Sequence, residues 1–181
     1  AKKKNADYIP FSINDAEKIS DTLIEEALNS YKERRTSVNI DIPKDHGHDD
    51  VITGVSEGSL KEFLGGTFEP LIKLIAEGKI KGVAGVVGCS NLTAKGHDVF
   101  TVELTKELIK RNIVVLSAGC SSGGLENVGL MSPKAAELAG DSLKEVCKAL
   151  GIPPVLNFGP CLAIGRLEMV AVELAKALNI D

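Results

Sequence analysis

Apolar residues recur at spacings of three and four over much of this chain, which is the period of an amphipathic helix. The first such segment carries Ile19, Leu23 and Tyr31 on one face. It ends in basic residues, which suit a helix C-terminus. The same period predicts four long helices, over 15–35, 98–111, 132–150 and 166–178. Two shorter helices are predicted over 56–65 and 68–78.

Short apolar runs rich in β-branched residues lie between these helices and predict buried strands. They cover 51–55, 80–87, 113–117 and 154–158. Strands that alternate with helices are typical of βαβ units and a parallel sheet. We therefore expect an α/β fold, a Rossmann-like parallel sheet with helices on both faces, preceded by an N-terminal amphipathic helix.

The polar stretch over 36–50 contains Pro43 and Gly47 and predicts a connector between the first helix and the sheet. The polar connector divides the chain into two predicted regions. Residues 1–50 would form the N-terminal helix and connector, and 51–181 a Rossmann-like domain.

Three of the four cysteines occupy the same place in this pattern. Cys89, Cys120 and Cys161 each follow a predicted strand and have a glycine close by. Ligands of open parallel sheets collect beyond the carboxyl ends of the strands, so the three thiols are expected to share one crevice. Convergent thiolates favour a metal ion or a cluster. Cys147 differs, because it shares helical spacing with Leu143 and Leu150, which predicts a structural core residue.

Composition narrows the possible functions. The formal net charge of −4 argues against a non-specific nucleic-acid surface. No stretch approaches the roughly 20 apolar residues of a membrane span, and the first residues do not resemble a leader, so a cytoplasmic protein is expected. Because the sequence starts at Ala1 and stops after a helical pattern, we expect part of a longer protein.

The three histidines allow weaker hypotheses. His46 and His48 lie among carboxylates and could bind a divalent ion, although a solvated connector explains the segment as well. His97 precedes a predicted helix in which Asp98 is a candidate N-cap, and it could instead lie near the Cys89 loop. Walker, dinucleotide-binding and nucleophile-elbow motifs are absent from the sequence.

The cysteine contexts resemble the C-terminal part of the nickel-iron-sulfur carbon monoxide dehydrogenases, which are related to the hybrid-cluster proteins. The resemblance runs from about residue 56 to the end of the chain. The motifs that carry it are Gly88-Cys89-Ser90-Asn91, Ala118-Gly119-Cys120 and Gly159-Pro160-Cys161.

This resemblance implies an anaerobic oxidoreductase in which Cys89, Cys120 and Cys161 are ligands of a nickel-iron-sulfur cluster of the Ni, 4Fe-4S type. It further implies carbon monoxide and carbon dioxide as substrates, an electron carrier such as ferredoxin, and a homodimeric full-length protein. Other cluster ligands, the electron-transfer clusters and the catalytic Lys would come from domains outside these 181 residues. The 181 residues alone are then expected to be inactive, and their own catalytic residues stay unknown.

Two alternatives remain at this point. A hybrid-cluster hydroxylamine reductase belongs to the same superfamily, although the stretch Ile152-Pro153-Pro154 favours the dehydrogenase. A non-catalytic α/β domain could also use the three thiols for a structural or adventitious metal such as zinc.

Overall fold

The computed structural model describes residues 9–39, 41, 47–89 and 96–180. The chain divides into two compact units, Ala1–His46 and Gly47–Asp181. The first unit contains a 3-10 turn, Ile13–Asp15, and the helix α1, Ala16–Ser37. None of the residues of α1 is buried, and Leu23, Ile24 and Leu28 are each more than half exposed. The helix predicted at the N-terminus is confirmed.

The second unit is built on a three-stranded parallel sheet in the order β1–β2–β3. The strands are β1, Gly82–Gly88, β2, Ile113–Gly119, and β3, Val155–Asn157. β2 pairs with both neighbours in parallel, so the carboxyl ends of all three strands lie at one edge. The predicted parallel α/β fold is confirmed.

In the described residues of the second unit, six helices pack around this sheet. They are α2, Glu57–Phe63, α3, Glu69–Ala76, α4, Val99–Lys110, α5, Cys120–Asn127, α6, Asp141–Leu150, and α7, Ile164–Leu178. Two 3-10 segments, Pro133–Leu138 and Cys161–Ala163, join them. No helix in the described part of the chain is long and apolar enough to cross a membrane.

The contacts of two neighbouring positions in the strands show that helices cover both faces of the sheet. A Cβ on Gly85 of β1 would lie 3.3 Å from the side chain of Leu167, so this face packs against α7. One residue further along the strands, Val86 of β1 pairs with Ser117 of β2. The hydroxyl of Ser117 accepts from the hydroxyl of Ser122 in α5. Because successive strand residues point to opposite faces, α5 and α7 lie on opposite sides.

The strand predicted over 51–55 is wrong, because this segment has no regular secondary structure. The amide of Ile52 donates to the carbonyl of Met131 at 2.9 Å. The amide of Val55 donates to the carbonyl of Asn157 at 2.7 Å. Met131 lies in the turn after α5 and Asn157 lies in β3, so the segment does not form a ladder with a single strand. Within the described residues, the sheet therefore has three strands where the sequence predicts four.

The long helix predicted over 132–150 is also wrong, because the chain breaks at Gly140 between a 3-10 segment and α6. The amide of Gly140 donates to Ile109 O at 3.0 Å, and a Cβ on it would lie 2.4 Å from Asn112 Oδ1. The same Asn112 oxygen accepts from the amide of Leu143 at 3.0 Å and so caps α6. Packing against the end of α4 determines this break, which local periodicity does not reveal.

Candidate functional site

Three thiols lie beyond the carboxyl ends of the strands. Cys89 directly follows Gly88, the last residue of β1, and Cys120 directly follows Gly119, the last residue of β2. Gly88 and Gly119 are paired neighbours in the sheet, so the two cysteines leave it side by side. Cys161 comes four residues after the end of β3. All three are exposed free thiols.

The third cysteine returns toward the first two strands at Gly119. A Cβ on Gly119 would lie 3.2 Å from Cys161 Sγ and 2.9 Å from Gly88 O. Gly119 also has φ +87°, a left-handed conformation that favours glycine. Its amide donates to Gly159 O at 2.9 Å, which attaches the Cys161 loop to the end of β2. The structure therefore brings the Cys161 sulfur to the strand ends that carry Cys89 and Cys120.

Buried polar side chains hold these loops. The hydroxyl of Ser117 donates to Val86 O at 2.8 Å, and that of Ser121 lies 3.4 Å from the same oxygen. On the β3 side, Asn157 Oδ1 accepts from the amide of Gly159 at 2.8 Å. The sequence analysis singled out neither Ser117 nor Asn157. The available signal was a polar residue inside the otherwise apolar strands β2 and β3.

Cys120 is also the first residue of α5, a helix that the sequence did not predict. Its residues Cys120–Asn127 are rich in Ser and Gly, which are poor helix formers. Tertiary packing overrides this propensity. Leu125 is fully buried, and a Cβ on Gly124 would lie 2.3 Å from Asp98 Cγ, so only glycine admits this close contact.

Cys147 lies apart from this edge, in the interior of α6, and is only 1% exposed. Burial in apolar surroundings disfavours the thiolate and raises the pKa of Cys147 to about 11. The predicted core position of Cys147 is confirmed.

The two histidines in the described part of the chain have neighbours other than the thiols. The His97 ring pairs with the carboxylate of Asp98, which occupies the N-cap position of α4 without a side-chain capping bond. The ring of His48 lies against Gly129, after α5, and His46 is outside the described residues. Among residues 9–39, 41, 47–89 and 96–180, no group of three or more His, Cys, Asp or Glu side chains is arranged to hold a metal ion. The ligand role of the cysteines stays a prediction.

One ion pair lies close to the Cys161 segment in the sequence. Arg166, in the first turn of α7, bonds Glu57 at the start of α2 at 2.8 Å. The backbone N–H of Glu57 and the Arg166 guanidinium hold the pKa of that carboxyl below its usual value. The Glu57 carboxylate is therefore ionised at neutral pH, and its bond to Arg166 attaches the start of α7 to α2.

Comparison with known proteins identifies the family of this chain. The Prismane/CO dehydrogenase family matches residues 1–181. The carbon monoxide dehydrogenase of Methanocaldococcus jannaschii is 53% identical over 180 residues, which are 98% of this chain and 28% of that protein. The chain thus spans less than a third of the length of this relative.

Solved structures give the same result. The Ni-free carbon monoxide dehydrogenase of Thermococcus sp. AM4 superposes with a TM-score of 0.81 at 39% identity, covering 100% of this chain and 28% of that one. A structure of acetyl-CoA synthase/carbon monoxide dehydrogenase matches with a TM-score of 0.78 at 31% identity. The alpha subunits of that protein contain NiZn[Fe4S4] and NiNi[Fe4S4] clusters. That match covers 98% of this chain and 28% of the other. On both sequence and structure, this chain belongs to the Prismane/CO dehydrogenase family.

Proposed function

We propose that this chain is part of the catalytic subunit of an anaerobic carbon monoxide dehydrogenase, which converts CO and H2O to CO2, two electrons and two protons. Cys89, Cys120 and Cys161 supply thiolate ligands to its nickel-iron-sulfur cluster. One observation carries the proposal: three exposed free thiols leave one edge of a parallel sheet, and the absent Cβ of Gly119 leaves space for the Cys161 sulfur.

The donor set fits such a cluster. Sulfur is a soft ligand that suits iron-sulfur clusters and related metals. The three thiols follow three separate strands, so they can hold different metal atoms of one group, while Gly88 and Gly119 keep the backbone free of side chains at this edge. Relatives named carbon monoxide dehydrogenase support the same assignment.

Within the proposal, the bound cluster supplies the redox chemistry, and this chain holds and orients it. The sheet edge carries the three sulfurs, and the hydroxyls of two buried serines join β2 to β1 and to α5. The chain spans only 28% of its relatives, so the remaining ligands and the route for electrons belong to the rest of the enzyme. An electron carrier such as ferredoxin, a homodimeric assembly and a cytoplasmic location are parts of this proposal, and the 181 residues alone are inactive.

The direct test replaces each ligand in turn in the subunit that contains this chain. Cys89→Ser, Cys120→Ser and Cys161→Ser should each abolish carbon monoxide oxidation and lower the nickel and iron content of the anaerobically purified protein. Cys147→Ala is the matched control, because it also removes a thiol but from the core, and it should retain both metal and activity. Full activity in any one of the three loop variants would refute the ligand assignment.

Elemental analysis and a second assay separate the alternatives. Iron with acid-labile sulfide supports the cluster, whereas zinc without sulfide supports a non-catalytic domain with a structural metal. Reduction of hydroxylamine without oxidation of carbon monoxide would instead assign the enzyme to the hybrid-cluster branch. The names of the relatives favour the dehydrogenase.

A further inference from the structure

A chain of hydroxyls joins α5 to both of the first two strands. The hydroxyl of Ser122 donates to that of Ser117 at 3.0 Å, and Ser117 donates in turn to Val86 O at 2.8 Å. Ser117 is 0% exposed and Ser122 is 4% exposed. A buried hydroxyl is costly unless it is bonded, so these groups stabilise the fold only in one relative arrangement of β1, β2 and α5.

The position of this chain relative to the cysteines is specific. Val86 precedes Cys89 by three residues, and Ser117 precedes Cys120 by three residues in the neighbouring strand. Ser122 follows Cys120 by two residues, so the chain of hydroxyls holds the backbone on both sides of that thiol. A shift of β2 or α5 against β1 would break the bonds and would also change the spacing of the two sulfurs.

Ser117 is linked to the third loop as well. The carbonyl of Ser117 accepts from the amide of Phe158 at 2.8 Å, and Ser117 pairs with Asn157 of β3 in the sheet. The side chain of Asn157 then holds the amide of Gly159, two residues before Cys161. One buried residue therefore contacts the strands or loops that lead to all three cysteines.

We infer that Ser117 is a positioning residue for the thiols: its hydroxyl fixes the distance between Cys89 and Cys120 so that both sulfurs can bind one cluster. The inference rests on the proposed function for the identity of that cluster. Ser117 has no direct contact with the metal in this role and acts through the two cysteines. A small apolar residue at this buried position would fill a similar volume but would leave β1 and β2 without this bond.

The test measures the spacing of the thiols without a cluster. In a Cys161→Ser background, the exposed cysteines of the described chain are Cys89 and Cys120, and phenylarsine oxide binds firmly only where two thiols reach one arsenic atom. With excess monothiol present as competitor, Ser117→Ala should lower the affinity for phenylarsine oxide about fivefold, the effect of one buried hydrogen bond. Ser122→Ala, which keeps the bond from Ser117 to Val86, should lower it about twofold.

Ser132→Ala is the matched control, because Ser132 is also buried, at 2% exposed, and bonds the amide of Lys134 away from this edge. A purely structural role would lower the free energy of unfolding in both Ser117→Ala and Ser132→Ala and leave arsenical binding equal. Equal binding in these two variants would overturn the inference. If Ser117→Ala does not fold, unchanged binding in Ser122→Ala would overturn it.

A second measurement separates this inference from the proposed function. In the subunit that contains this chain, Ser117→Ala should reduce nickel content and change the electron paramagnetic resonance signal of the cluster, whereas Ser132→Ala should not. If the unsubstituted subunit binds no nickel-iron-sulfur cluster while Ser117→Ala still weakens arsenical binding, the proposed function fails and the positioning of the thiols stands. A normal cluster in Ser117→Ala together with unchanged arsenical binding refutes the positioning role alone.

Discussion

Cys120 and Cys147 place the same side chain in two different environments. Cys120 begins α5 at the carboxyl edge of the sheet and is exposed, whereas Cys147 lies inside α6 and is 1% exposed. Burial raises the pKa of Cys147 to about 11, which keeps it a neutral, apolar side chain near pH 7. The comparison shows that the element that carries a cysteine, and the side of that element on which it lies, determine whether its sulfur is available for chemistry.

The largest expected effect is on the alkylation of Cys147. A thiol with a pKa of about 11 that is also buried should react with iodoacetamide at pH 8 at least ~100-fold more slowly in the folded protein than in urea. The exposed Cys89, Cys120 and Cys161 should react in the folded protein. Mass spectrometry of timed digests measures all four rates, and equally rapid labelling of Cys147 would contradict the comparison.

A change at Gly119 tests how closely the thiol edge is packed. Gly119→Ala adds a Cβ 2.9 Å from Gly88 O and 3.2 Å from Cys161 Sγ, at a positive φ. It should lower the free energy of unfolding by ~3 kcal/mol, measured by urea denaturation. Gly159→Ala is the matched control, because Gly159 also has a positive φ but nothing lies within 4 Å of its Cβ position, and it should cost only ~1 kcal/mol. Equal losses in both variants would show that the edge is not closely packed.

Replacement of cysteine by serine should lower the free energy of unfolding more at the buried Cys147 than at the exposed Cys161. Cys147→Ser places a hydroxyl in the apolar core and should cost ~2 kcal/mol in urea denaturation. Cys161→Ser changes an exposed loop residue and should cost no more than ~0.5 kcal/mol. A larger loss at Cys161 than at Cys147 would reverse the assignment of core and site.

The smallest effect is a dependence of stability on alkaline pH. The folded state holds the Cys147 proton up to a pKa of about 11, so this contribution to stability is fully present below the pKa of the unfolded thiol. It is lost as the pH rises from about 9 through 11, and stability should fall by up to ~1.4 kcal/mol per pH unit in that interval. Cys147→Ala should show a shallower decline over that range in pH-dependent urea denaturation, and an identical decline would rule out Cys147 as its source.

Prediction from sequence succeeded where local pattern and tertiary environment agree. The strands that lead to Cys89 and Cys120 are apolar runs interrupted only by Ser117, and such runs are typical of parallel sheets, so the run itself is a sufficient signal. Prediction failed for α5, because Ser and Gly gain helical structure there only by packing, with Leu125 buried and Gly124 against Asp98. It failed again at Gly140, where the side chain of Asn112 ends one helical segment and caps the next.

Hydrophobic periodicity by itself determined the parallel α/β fold, the amphipathic first helix, the position of each cysteine relative to its strand and the burial of Cys147. These features depend on residues that are close in the sequence, and their period is visible there. Only the tertiary structure decided that Cys161 Sγ lies against Gly119, and that the hydroxyl of Ser117 joins β2 to β1. Both contacts join residues distant in the sequence, and their geometry depends on the register and packing of whole strands and helices.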